Sequence, residues 1–252
     1  MVVIVAAVLA VVTSLTTAWA LLGDTADFVD DLANPHGGLY GQVDLLKLDV
    51  TSEYVDRVLG PPASVMTLEA TCDDCGALSL RVYALEKDAT VRALFEGSAL
   101  RMFLVTRVDT EVRPTIRWRE VARGELGETS FAEASRLTED GSLPPTDVSF
   151  WPGAQRINYV EVFALGAPGK YEGLILGHSS EGASETAFDL EGAQDVADAY
   201  SEAAPELSGD AVRFRDLSEP NTFGAFRDDG PVANLVREAD FVNGVQTMGE
   251  YG

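Results

Sequence analysis

The chain has 252 residues, 46% of them hydrophobic, which suits a packed globular protein and excludes disorder of the whole chain. Its 41 acidic residues outweigh 18 basic ones, for a formal net charge of -23. That field repels phosphate backbones, so generic nucleic-acid binding is excluded.

Residues Val2 to Leu22 carry no charge. As a helix they would extend about 31 Å, close to the hydrocarbon thickness of a bilayer. A helix also satisfies every backbone hydrogen bond internally, as lipid demands. Val2, Val3, Ile4, Leu9, Leu15 and Leu22 supply the apolar surface, and Trp19 sits near one end, where an interfacial aromatic is expected. Asp24, Asp27, Asp30 and Asp31 stop the run. Residues 1–22 thus read as a transmembrane anchor or a signal segment, with the lipid bilayer as partner through residues 2–22. Cleavage after Ala20, within Ala18-Trp19-Ala20, is the signal reading; the lack of a preceding Lys or Arg favours the anchor. Either reading places the soluble part outside the cytoplasm, at the cell membrane as a single-pass protein or secreted if the leader is cleaved. Residues 23–38 form a membrane-proximal linker, and 39–252 an extracytoplasmic α+β domain.

Within that domain, residues 39–59 read as helix, with Leu45, Leu48, Val55, Val58 and Leu59 as an approximate apolar face and Thr51 as the cap of a restart. Gly60-Pro61-Pro62 ends it. Val65–Ala70, Leu78–Leu85, Val91–Phe95 and Leu100–Val108 read as strands. In 78–85, Leu78, Leu80, Val82 and Ala84 alternate with Ser79, Arg81, Tyr83 and Leu85, which predicts a sheet covered on one face. Phe131–Leu137 reads as a short helix capped by Thr129 or Ser130, and 138–155 as a long loop. Strands Ile157–Leu165 and Tyr171–His178 follow, then helices near 193–203 and 231–242. This predicts an α+β fold, an antiparallel sheet packed by helices. The recurrence of helix, Leu-Gly and strands suggests two related halves.

Candidate chemistry is sparse. Cys72 and Cys75 could close a local disulfide outside the cytoplasm; Asp73 and Asp74 between them oppose a reactive thiolate. Zinc needs about four ligands; there is no second cysteine pair, and His36 and His178 lie far apart in sequence. Gly177-His178-Ser179-Ser180-Glu181 falls one residue short of a nucleophile elbow, and no histidine follows Ser179 to act as base. An EF-hand loop is absent. No catalytic residue, cofactor or metal site is expected. The basic segment holding Arg113, Arg117, Arg119 and Arg123, together with the loop around Trp151, is the candidate interaction surface.

Several segments together resemble a family of uncharacterised single-pass membrane-anchored bacterial proteins. They are Leu59-Gly60-Pro61-Pro62 after a helix, Leu104-Val105-Thr106, Leu126-Gly127-Glu128-Thr129-Ser130-Phe131, the run Tyr159 to Tyr171, and Pro220-Asn221-Thr222-Phe223-Gly224. The resemblance implies one transmembrane helix and an extracytoplasmic α+β domain, and brings no catalytic residues. The helix–Leu-Gly-x-Pro–strand unit is also similar to small envelope lipoproteins of the outer-membrane assembly type, although their lipobox cysteine is absent. The leading expectation is a non-enzymatic binding or interaction module of the cell envelope with a protein partner. An envelope hydrolase using Ser179 or a carboxylate pair is the alternative, and a structural subunit of a membrane-associated assembly or virion is a third.

Overall fold

A computed structural model describes residues 36–68, 77–85, 87–118, 121–136, 144–153, 156–164, 172–202, 207–228 and 230–248. The chain divides into a segment ending at Gly41 and a compact body from Gln42 to Gly252. The predicted anchor, most of the linker, Cys72, Cys75 and Arg119 lie outside the described residues. Among the described residues, no helix is long and apolar enough to cross a membrane.

In chain order the elements are α1 (Gly37–Asp44), α2 (Ser52–Leu59), β1 (Ser64–Leu68), β2 (Leu78–Leu85), β3 (Ala89–Glu96), β4 (Ala99–Arg107), β5 (Thr115–Trp118), β6 (Val121–Glu125), α3 (Phe131–Ala134), β7 (Asp147–Pro152), β8 (Ile157–Phe163), β9 (Glu172–Ser179), α4 (Leu190–Ser201), α5 (Gly209–Leu217), β10 (Thr222–Arg227), α6 (Gly230–Arg237) and α7 (Ala239–Met248). The expected α+β class holds: eight strands form one antiparallel sheet in the order β1-β2-β3-β4-β10-β9-β8-β7, and β5 and β6 form a separate hairpin. The two outer strands, β1 and β7, each begin a run of strands, and the runs meet at the centre through β4 and β10.

Local chemistry sets the boundaries. The hydroxyl of Thr51 accepts from the Tyr54 amide, capping α2, and Gly60 at φ 85° ends it. Between α1 and α2 the chain passes through Asp49 at φ 65°, so the expected 39–59 helix is two helices joined by a left-handed residue. Ser130, not Thr129, caps α3 by accepting from the Glu133 amide; the Thr129 hydroxyl accepts from the Glu125 amide instead.

Register assigns the side chains to two faces. On one, Leu80, Leu94, Met102, Leu104, Val160, Val162, Ile175 and Phe226 meet Val236, Ala239, Val242 and Val245 of α6 and α7 in a continuous core. On the other, α2 covers β2: the Tyr83 hydroxyl donates to Asp56 at 2.8 Å and Arg81 pairs with the same carboxylate at 2.7 Å. Tyr83 is therefore buried, and β2 is covered on both faces where one was expected. At the far end of this second face, Phe131 of α3 and Phe214 of α5 pack against Tyr159 of β8, with ring centroids 5.2 and 5.0 Å away.

Three further expectations are corrected. Residues 147–152 form edge strand β7 rather than loop, because Pro152 at the strand's end breaks no interior ladder. The helix expected at 231–242 is two helices, α6 and α7, divided near Glu238. The hairpin β5–β6, α5 and β10 are additional elements.

Candidate functional site

Helix α2 covers one end of the second sheet face and α3, α4 and α5 cover the other. Between them, Phe103 of β4 and Phe223 and Ala225 of β10 floor a groove of about 590 Å³. Its depth has a simple origin. Phe103 lies directly across from Ala225 in the β4–β10 register, so a methyl group stands beside a large ring. Val43, Asp44, Leu46, Lys47 and Leu48 line the groove together with Thr115, Arg117 and Val121 of the hairpin. The two walls are tied by a two-point ion pair, Arg117 Nε to Asp44 Oδ1 at 2.7 Å and Nη2 to Oδ2 at 3.2 Å.

Beside the groove, Asp49 gathers two cations. Its Oδ1 accepts from Arg101 Nη1 at 2.6 Å, and its Oδ2 accepts from Arg227 Nε at 2.7 Å and also from Arg227 Nη2. The Arg227 hydrogen bonds are the largest influence holding its carboxyl below the usual range, with Arg101 adding to them. Arg227 Nη1 also lies 3.7 Å from Glu172 on the neighbouring strand. Lys47, exposed, has no hydrogen-bond or ion-pair partner among the described residues.

The residues singled out from sequence scatter around this region. Arg113 pairs with Glu128 and, at 3.2 Å, with Glu185. Arg117 lines the groove. Arg123 donates to the Arg136 carbonyl at 2.8 Å and lies over the Trp118 ring. Arg113, Arg117 and Arg123 thus turn to different partners, and of these three only Arg117 reaches the groove. Trp151 is exposed on edge strand β7, 58% accessible, opposite Asn158. The groove residues Phe103, Phe223, Ala225, Lys47 and Arg227 were not among the sequence candidates.

The elbow reading of Ser179 fails on geometry. A nucleophile elbow is a strand-to-helix turn, whereas β9 runs into a turn at Ser180 and Glu181, and the next helix starts at Leu190. Ser179 is 1% exposed, and its backbone is clamped by Asn221, whose amide oxygen accepts from the Ser179 amide at 2.8 Å while its nitrogen donates to the Ser179 carbonyl at 2.7 Å. His178 points to the opposite sheet face and stacks on Phe188, with centroids 4.0 Å apart. Burial, reinforced by the Arg107 charge, depresses the His178 pKa to about 4. Glu161, a fully buried carboxylate, is held by Arg215 in an ion pair.

A second concavity of about 510 Å³ opens between α4 and α5, lined by Asp189, Glu191, Asp195, Asp210, Arg213 and Leu217 among others. Among the described residues, no three His, Cys, Asp or Glu side chains are placed to hold a metal ion.

No family model matches the chain, and no curated protein matches it. Among solved structures, a putative beta-lactamase inhibitor protein from Streptococcus mutans is similar over 57% of this chain and 92% of its own, at 12% identity and a TM-score of 0.25. So slight a likeness leaves the chemistry of the groove to decide what this chain can do. Among the described residues its lining contains no histidine, cysteine or serine; the polar groups there are Asp44, Lys47, Thr115, Arg117, Glu172 and Arg227. An aromatic floor, aliphatic walls and a charged rim are the makings of a recognition surface.

Proposed function

We propose that the chain is a non-enzymatic binding module of the cell envelope, anchored by residues 2–22 with its α+β body outside the cytoplasm. The observation that carries the binding reading is the groove over β4 and β10, where the sheet face lies between two groups of helices rather than beneath them. The anchor reading is supported by the uncharged run from Val2 to Leu22. The matching order of the two strand runs supports two related halves, with the groove where they join.

Two measurements test this. Alkaline extraction of membranes should retain the full chain and release a version lacking residues 2–22; recovery of the full chain in the soluble fraction overturns the anchor. A photo-crosslinking amino acid at Val121, on the groove wall, should give a discrete adduct that the same probe at Val212, exposed on α5, does not. Identical adduct patterns at both positions overturn the groove as the binding site.

A further inference from the structure

We propose that the occupant of the groove is an extended segment of a partner protein in which one large apolar side chain stands next to an acidic residue. This rests on the reading of the groove as the binding site.

The apolar half follows from the floor. Phe103, Phe223 and Ala225, walled by Leu46, Leu48 and Val121, offer ring faces and aliphatic edges with a gap where Ala225 is short. One Phe or Leu side chain fills such a gap and takes its hydrophobic gain from water exclusion and ring contact.

The acidic half follows from the rim. Lys47 is exposed and has no partner among the described residues. Arg117 has one, but both members of the Arg117–Asp44 pair are exposed, at 40% and 42%. An exposed pair of this kind is weak, so an incoming carboxylate can displace Asp44 from the guanidinium fork at little cost. Arg227 is committed to Asp49 and Glu172, and the newcomer is left to Lys47 and Arg117. On a chain of net charge -23, a mouth with two addressable cations is a local exception. Acidic partners are repelled from the rest of the surface and accepted here, which confers specificity more than speed.

A polypeptide fits better than a lipid tail. The lining mixes both charges with apolar groups, and Val121 of the wall, 49% exposed, carries the apolar lining out to the surface. Aromatic and arginine side chains within such a surface are the composition of protein-interface cores.

The experiment uses purified full-length chain in detergent micelles and fluorescent nonapeptides with a central Phe, Leu or Ala flanked by Glu, Ser or Lys, read by polarisation. Expected is tightest binding for Glu-flanked Phe and Leu, at least about ten-fold over Lys-flanked peptides, with the preference reversed in a Lys47→Glu, Arg117→Glu double variant. Ala225→Trp should abolish binding by filling the gap. Val121→Asp, at an exposed position, should weaken Glu-flanked peptides while keeping the wild-type melting curve. Equal binding of all three flanks, lost in Ala225→Trp, overturns the acidic half and leaves the groove reading standing. Binding that neither Ala225→Trp nor Val121→Asp alters overturns both, whereas no binding of any peptide overturns the peptide occupant. Lys47-dependent binding of phosphatidylglycerol vesicles over phosphatidylcholine vesicles, without peptide binding, overturns the protein partner in favour of a lipid surface.

Discussion

Arg215 on α5 donates to both oxygens of Glu161 on β8, through Nε at 2.8 Å and Nη2 at 3.1 Å, inside an otherwise aromatic cluster. Glu161 is fully buried and Arg215 is 5% exposed. The Tyr159 hydroxyl donates to the same carboxylate at 2.7 Å, and Arg215 Nη2 also donates to the Ser135 hydroxyl at 3.0 Å. The network ties α3 and α5 to the sheet and so sets one boundary of the groove face. Removing one partner strands a buried charge, and Arg215→Ala is expected to cost about 3–5 kcal/mol. A Glu161→Leu, Arg215→Met double variant is expected to recover most of that loss. Urea denaturation of the three proteins checks this; a single variant as stable as the parent contradicts the pairing.

His178 sets a pH dependence of known sign. Its folded pKa of about 4 lies below the ordinary 6.5, because burial and the Arg107 charge disfavour the imidazolium. Between those two values the unfolded chain binds a proton that the folded chain refuses, so stability falls as pH drops from about 6.5 towards 4. Linkage gives a loss of about 2 kcal/mol between pH 7.5 and pH 5 from this residue. Denaturation midpoints of the parent and His178→Phe at the two pH values measure it. The variant's slope should be shallower by that amount; equal slopes contradict a neutral buried imidazole.

What was legible in the sequence was whatever local pattern decides. Strand β2 announced itself by alternation, β3 and β4 by their β-branched, Leu and aromatic residues, and α2 by Thr51 and Gly60. Strand β10 did not, because Pro220-Asn221 and Gly224 read as turn signals. Gly224 sits mid-strand for a long-range reason: a Cβ there would lie 2.0 Å from the Phe103 carbonyl oxygen on β4. Helix α5 was hidden because Arg215, on its buried side, spoils an apolar stripe and finds its partner 54 residues away. The groove draws on residues 43–48, β4, the hairpin, β9 and β10, segments far apart in sequence, so only Arg117 among the basic candidates fell within it.

Gly127 and Arg107 are a locked pair. The buried Arg107 guanidinium donates to the Ala183 carbonyl at 3.1 Å and to the Thr110 and Leu126 carbonyls at 3.4 Å. Gly127, at φ +79°, lies so close that a Cβ would fall 1.9 Å from Arg107 Cζ. Gly127→Ala therefore incurs both the left-handed backbone penalty and a steric displacement of the guanidinium, together about 2–4 kcal/mol. In an Arg107→Met background the same change should cost only about 1–2 kcal/mol, the backbone part. A thermodynamic cycle over the four proteins gives the coupling, and additive costs contradict the clash.

Gln246 offers the opposite sign of change. On α7, against the core face of the sheet, both of its amide atoms are buried without a partner among the described residues, and its nitrogen lies 3.2 Å from where a Cβ on Gly177 would sit. Among the same residues the amide oxygens of Asn158 and Asn243 are likewise unpartnered. A buried polar group left unsatisfied costs about 1–3 kcal/mol, and an apolar group of the same shape removes that cost. Gln246→Met keeps the length and flexibility of the side chain and is expected to stabilise the fold by about 1 kcal/mol or more. The reading is the urea midpoint, with an unchanged dependence of unfolding free energy on urea concentration as the control for an intact transition. A destabilised Gln246→Met protein would mean that the amide is held by interactions stronger than its packing suggests.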